Sequence, residues 1–188
     1  MRIISGFHKG RRIRPSKKLP VRPTTDKSKE AIFNILSNRF DLECISVLDL
    51  FSGTGSISYE FCSRGGINVV ALDHNKNCIN FIKATSNELK FPIKAIQNDV
   101  FVFLKKTKLC LDVIFADPPY AMDIKKFDIL IDIIFSRELL NNGGLLIIEH
   151  SKQVDLSQNK KFAKTKSYGS NCFSFFEKKQ IYKPNSVP

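Results

Sequence analysis

The chain has 188 residues, 43% of them hydrophobic, which is enough for one well-buried domain with a small appendage. Lys and Arg number 30 against 18 Asp and Glu, and the net charge of +12 favours a polyanionic partner. The composition excludes a disordered chain, no uninterrupted apolar stretch reaches membrane-spanning length, and five scattered cysteines and three scattered histidines give neither a disulfide framework nor a metal-ligand spacing.

The opening MRIISGFHKGRR lacks the long apolar core and cleavage pattern of a secretory signal, and no such signal is read; the scattered cysteines fit free thiols in a reducing compartment. Residues 2–14 read as a short hairpin turning around Gly6 to Gly10. Pro15, Pro20 and Pro23 then punctuate a basic loop. Thr24 or Thr25 can cap a helix over 26–37, with Ala31, Ile32, Ile35 and Leu36 as its apolar stripe. Basic residues crowd this arm. Arg2, Lys9, Arg11, Arg12, Arg22, Lys27 and Lys29 are the candidates for contacts to nucleic-acid phosphates. Arg22 is the most pointed of them, because local prolines hold it beside the helix start.

From residue 46 the pattern alternates. Strands are predicted over 46–51, 67–73, 92–97, 111–117 and 143–150, with helices over 55–64, 75–90, 99–106 and 123–136 between them. Such alternation implies a mostly parallel sheet covered on both faces, with ligands bound at the carboxyl ends of its strands. Residues 160–169 and 171–179 read as a closing antiparallel hairpin, and 181–188 as a loose tail. The predicted organisation is a basic extension over 1–40, one α/β domain over 41–180 and the tail.

The chemistry gathers at the strand ends. Gly53 and Gly55 in LDLFSGTGSISYE lie between a strand and a helix, where glycine permits a tight turn and close backbone approach. The run is not GxGxxG, since Ser58 stands at the third glycine position, and no phosphate loop of the GxxxxGK[ST] type occurs. Asp49 can receive the amino group of a methionine moiety. Asp73 can hold ribose hydroxyls. Asp99 can accept from an adenine amino group while the Val100 amide faces a ring nitrogen, the rival role for Asp99 being a helix cap. Acids and glycines following successive strands favour an adenosyl cofactor whose positive sulfonium suits an acidic lining.

FADPPYAM follows the apolar run LDVIF. Asp117 and the Pro118 carbonyl offer two acceptors for the two N–H groups of an exocyclic amine, whose lone pair is otherwise delocalised into its ring. Pro119 stiffens the loop. Tyr120 can stack on the base. A strongly raised pKa at Asp117 is not expected, because the amine becomes acidic as it gains the methyl group. The combination implies methyl transfer from S-adenosylmethionine to a nucleobase nitrogen, leaving S-adenosylhomocysteine, with no covalent enzyme intermediate and no metal.

The residues leave three readings open. DPPY recognises an amine more than a ring, so a DNA adenine-N6 or cytosine-N4 methyltransferase is possible alongside an RNA guanine-N2 enzyme. A non-catalytic RNA-binding assembly protein is the third.

The chain to about residue 179 resembles the bacterial RsmD family, which methylates N2 of guanine 966 in 16S ribosomal RNA. The resemblance rests on RIISGFHKGRRI, RPTTDKSKEAIFNIL, LDLFSGTGSISYE, DPPY at 117–120 and SYGSNCFSFF. It implies a Rossmann-like class I methyltransferase with a mostly parallel seven-stranded sheet plus a small N-terminal hairpin and helix. It adds Thr25, Phe51 and Ser52 to the cofactor residues and implies a cytoplasmic, monomeric enzyme acting on 16S rRNA in the 30S subunit or an assembly intermediate. At Glu149 and His150 the family often has Glu followed by Ser, so the chain departs mildly at His150.

Overall fold

The computed structural model describes residues 1–16, 19 and 25–178. Arg22, Pro20, Pro23, Thr24 and the tail 181–188 lie outside the described residues. Twelve elements follow in order: α1 (Asp26–Ser37), β1 (Ser46–Leu50), α2 (Ser56–Ser63), β2 (Asn68–Asp73), α3 (Lys76–Leu89), β3 (Ile93–Gln97), α4 (Val100–Lys106), β4 (Leu111–Ala116), α5 (Ile124–Ser136), β5 (Leu140–Ser151), β6 (Phe162–Tyr168) and β7 (Asn171–Glu177).

The strands form one seven-stranded sheet in the order β3-β2-β1-β4-β5-β7-β6. β1 to β5 run parallel, and β7 enters antiparallel between β5 and β6. The order reverses at β1, whose neighbours are β2 and β4. A parallel sheet reversing there opens a crevice at the carboxyl ends of those strands.

Strand alternation sorts the core into two faces. Leu48, Leu50, Ile114, Ala116, Leu146 and Ile148 pack beneath α4 and α5 with Leu104, Leu130, Ile131 and Ile134. Val47, Val113, Phe115, Leu145, Ile147, Phe173 and Phe175 point to the other face, where Ile32, Phe33 and Leu36 of α1 and Ile57 and Phe61 of α2 cover them. Ile3 and Ile13 of the opening segment join α3 through Ile79, Ile82 and Leu89. Asp49 follows Val47 by two residues and therefore faces α2.

Two details depart from the sequence reading, the buried stripe of α1 and the start of β5. The buried stripe of α1 is Ile32, Phe33 and Leu36, with Ala31 and Ile35 half-buried. Thr25 is its cap, accepting from the Ser28 amide at 3.1 Å. β5 starts three residues early and carries an irregularity opposite Leu111 and Val113, so extra chain is taken up before the register resumes at Leu145. The hairpin predicted over 2–14 forms: the Ile3 amide donates to the Arg11 carbonyl at 3.0 Å, the Gly10 amide to the Ile3 carbonyl at 2.9 Å and the Ile13 amide to the Met1 carbonyl at 3.0 Å around the Arg2–Arg12 bridge, and its turn also docks on α2.

That docking centres on a buried ion cluster, and it removes Lys29 from the phosphate-binding candidates. Glu60 is fully buried; its carboxylate accepts from the Ile4 amide at 2.8 Å, the Ser5 amide at 3.0 Å and Arg64 Nε at 2.9 Å. Lys29 is 1% exposed, with Nζ 3.5 Å from Glu60 Oε2 and donating to the Arg2 carbonyl and Ser56 Oγ. A side chain so enclosed cannot reach a phosphate. Burial lowers its pKa while the Glu60 charge opposes that shift. Lys29→Met is expected to lower stability by about 2 kcal/mol, since it strips a charged donor from acceptors that stay buried. RNA affinity should stay unchanged at constant salt. Thermal unfolding beside a filter-binding titration checks both; a large loss of affinity in a fully folded variant would return Lys29 to the interface.

Candidate active site

The crevice at the sheet's reversal point is a cavity of about 370 Å³ lined by Asp49, Phe51, Ser52, Gly53, Thr54, Ser56, Ile57, Asp73, His74, Asn75, Cys78, Phe115 and Asp117 to Tyr120. The sequence-predicted loop after β1, the acid closing β2 and the DPPY segment after β4 thus come together.

The β1 loop is built for close approach. Gly55 begins α2 with φ +82°, and a Cβ there would stand 2.9 Å from the Tyr59 ring and 3.0 Å from Ile82. Phe51 also has a positive φ, 57°, the strain of an apolar residue forced through this turn. Asp73 fixes the loop from the next strand: one oxygen accepts from the Gly53 amide at 2.8 Å and the other from the Asn75 amide at 2.8 Å. Each oxygen keeps a lone pair for a ribose hydroxyl.

Asp49 is 2% exposed and its Oδ2 accepts from both the Ser58 amide at 3.2 Å and Ser58 Oγ at 2.6 Å. Burial pushes its carboxyl up to about 7 against those bonds. Ser58, which stands at the third glycine position of the dinucleotide pattern, is therefore the residue that holds this acid.

At DPPY, the Asp117 amide donates to the Leu50 carbonyl at 3.4 Å and Pro118 is buried, while Pro119 and Tyr120 are exposed. Burial, then Glu149, then Asp49 raise the Asp117 carboxyl well above the usual carboxylate range. This overturns the expectation of an ordinary pKa: the sequence separation of the three acids hides that the sheet collects them. The Tyr120 hydroxyl donates to Asn171 Oδ1 at 3.2 Å, and Asn171 Nδ2 donates to Glu149 Oε1. Glu149 and Asn171, at the ends of paired strands β5 and β7, escaped sequence reasoning. Their only signals were the polar ends of IIEH and SYGSN. His150 beside them is buried with lowered pKa, Nδ1 bonding the Ser151 carbonyl at 2.9 Å and Nε2 the Ser174 hydroxyl at 2.8 Å.

Other predicted residues stand apart. Thr25 is exposed, its Oγ1 is engaged with Ser28 as the cap of α1, and it does not line the cavity. Asp99 is exposed and caps α4 by accepting from the Val102 amide at 2.9 Å; neither it nor Val100 lines the cavity. The preceding Asn98 amide donates to the Asp73 carbonyl at 3.1 Å, which keeps this turn beside the cavity. In the basic arm, Arg2 pairs with Asp26 at 3.0 Å and Arg11 with Glu88 at 2.5 Å, while Lys9, Arg12 and Lys27 are exposed.

The cavity fits an adenosyl-methionine cofactor. Asp49 and Asp73 match an ammonium and a ribose diol, Asp117 faces the same space, and Ile57, Cys78 and Phe115 supply apolar wall. Ser52 Oγ is buried without a hydrogen-bond partner, a group that a polar ligand would satisfy.

Residues 1–177 match the family model described as conserved hypothetical protein 95. The chain is 30% identical over 156 residues to ribosomal RNA small subunit methyltransferase D of Buchnera aphidicola, covering 82% of this chain and 78% of that protein. It is 28% identical over 185 residues to the protein of that name from Haemophilus influenzae, covering 94% and 93%. A solved structure of a hypothetical protein from Thermus thermophilus superposes with a TM-score of 0.81 at 25% identity, covering 94% of this chain and 99% of that one.

Proposed function

This chain belongs to the family described as conserved hypothetical protein 95, the RsmD family, and from that premise we propose that it methylates the exocyclic N2 amine of a guanine in small-subunit ribosomal RNA. The coarser assignment, S-adenosylmethionine-dependent methylation of ribosomal RNA, follows from the family and from relatives that carry the name of small-subunit rRNA methyltransferase. Methylation at an exocyclic amine is supported by one observation, that Asp117 and Pro118 open onto the same cavity as Asp49 and Asp73; guanine N2 as the particular amine is carried over from the RsmD resemblance. The assembled 30S subunit or an intermediate as substrate, a monomeric enzyme and a cytoplasmic setting belong to the same proposal. Among the described residues no helix is long and apolar enough to cross a membrane.

S-adenosylmethionine, when bound, supplies an electrophilic methyl group whose sulfonium leaves as a neutral thioether. The chain's own residues orient and shield. Asp49 receives the methionine ammonium, and that cation stabilises the ionised carboxylate which burial otherwise disfavours. Asp73 receives the ribose hydroxyls, and the Asp99 turn lies on the adenine side. Asp117 and the Pro118 carbonyl accept the two amine hydrogens, turning the nitrogen lone pair toward the methyl group. Tyr120 stacks on an extruded base. As the amine becomes cationic, Asp117 or solvent takes its proton.

The test is tritiated methyl transfer onto 30S particles from a strain lacking this modification, with nucleoside analysis. N2-methylguanosine in the small-subunit RNA is the expected product; a different methylated base moves the target, and no label on particles or naked RNA removes the reading.

Asn171→Ala is expected to raise KM for the particles about tenfold, because Tyr120 loses the acceptor that fixes its ring. Tyr120→Phe should have a similar effect and add little to Asn171→Ala. Additive losses in the double variant would show that the two side chains act separately.

A further inference from the structure

Phe7 is 84% exposed, the highest value among the exposed large apolar side chains of the described residues. Single exposed apolar residues are ordinary on mobile loops. This one sits on a turn bolted to the end of α2. The Phe7 amide donates to the Ser63 carbonyl at 2.7 Å, the His8 amide donates to Ser63 Oγ at 3.0 Å, and that hydroxyl donates to the Ser5 carbonyl at 2.6 Å. Gly6 lies so close that a Cβ would stand 1.7 Å from the Ser63 carbonyl oxygen, and its φ is +81°. His8 folds inward, edge-on to Phe91 at 4.9 Å. The turn therefore fixes the backbone on either side of Phe7 and leaves its aromatic ring in solvent.

The surroundings select the partner. Residues 1–14 contain Arg2, Lys9, Arg11, Arg12 and Arg14 and no acid. Arg11, Arg12 and Arg14 line a groove along α3 with Phe81 and Glu88. Since α2 starts at the cofactor loop and ends at Ser63, Phe7 lies about 10 Å down the molecule from that loop. The arginine groove lies along the later part of α3, from Phe81 to Leu89. A cationic groove and an exposed aromatic ring on one docked hairpin match single-stranded nucleic acid, in which phosphates follow the charge and a base stacks on the ring.

We propose that Phe7 is a stacking platform for an unpaired nucleotide of the substrate RNA, remote from the target base, and that Arg12 and Arg14 guide the backbone between the two. The proposal rests on the RNA-methyltransferase reading and adds a second anchor to it.

The chain contains no tryptophan, so Phe7→Trp introduces a sole reporter at the site. Titration with a transcript of small-subunit ribosomal RNA, with binding followed in parallel by anisotropy of labelled RNA, should quench the indole emission. Phe7→Ala should raise KM for unmethylated 30S particles about tenfold, with kcat and cofactor affinity unchanged, and Phe7→Trp should restore KM. The slope of log affinity against log salt should not change for Phe7→Ala but should fall by about one for Arg12→Ala. Bound RNA without quenching, or a KM that Phe7→Ala does not move, overturns the platform. A KM defect confined to assembled particles, with transcript affinity unchanged, also overturns it and assigns the ring to a ribosomal protein. The two readings separate cleanly: wild-type transfer to another acceptor would sink the guanine assignment, whereas normal rRNA methylation without indole quenching would sink the platform alone.

Discussion

Asp117→Ala is expected to lower kcat about 10³-fold, the scale of deleting one preorganised partner at a reacting centre. The affinity for S-adenosylmethionine should change little, since Asp49 and Asp73 hold the other functional groups of the cofactor. Single-turnover methyl transfer on 30S particles together with calorimetric cofactor binding checks the two halves. Activity within a few-fold of wild type would falsify the amine clamp. The pH profile carries a second signature. The Asp117 carboxyl is raised by burial, Glu149 and Asp49, and the clamp needs it ionised. Activity should therefore rise with pH through a limb lying above the ordinary carboxylate range. Glu149→Gln removes one of the charges that raise it, so the limb should move to lower pH. A limb left in place by Glu149→Gln would assign the titration to another group.

Asp49→Asn should produce opposite effects on affinity and on stability. The buried carboxyl is pushed from 3.8 up to about 7 in the fold, whereas the unfolded chain titrates near 3.8. The folded state thus binds a proton that the unfolded state releases. Its contribution is fully present below about 4 and is lost as pH rises through about 7. Without cofactor, wild type should be less stable at about pH 8 than at about pH 5 on this account. Asp49→Asn should flatten that difference and gain roughly 1–4 kcal/mol at about pH 8. Cofactor affinity should fall about 10- to 100-fold, since a charge-assisted bond to the ammonium is lost. Urea unfolding of both proteins at the two pH values isolates the contribution of this acid from that of the others. Identical pH dependence in the two proteins would show that Asp49 does not carry it.

Much of the site was legible because local chemistry and local geometry coincide. The loop after β1 must turn sharply, so Gly53 and Gly55 mark it. An acid closing an apolar strand, such as Asp73 or Asp117, has few reasons to be there apart from a ligand or a turn. Lys29 misled because it stands in a segment that reads as basic and polar, and only tertiary packing shows that it is enclosed beside Glu60. Thr25 was readable as a helix cap, and the hydrogen bond from Ser28 displays that role. Asp99 had two readings from the outset, and the cap is the one that the hydrogen bond to Val102 displays.

The alternation of strands and helices, the hairpin finish, the glycine turn and the DPPY acceptor pair could all be read from the order of residues, because each depends on positions close together in the chain. Which distant side chains meet was settled by folding. Ser58 holds Asp49 across a strand–helix contact. Glu60 gathers Lys29, Arg64 and two amides of the opening segment. Glu149 and Asn171 reach Tyr120 only because β7 pairs antiparallel with β5. Asp49, Asp117 and Glu149 belong to three different strands or strand ends, and their shared field is a property of the sheet order. Periodicity records which face a residue shows; it carries no record of what is packed against that face, and burial and charge coupling depend on the second.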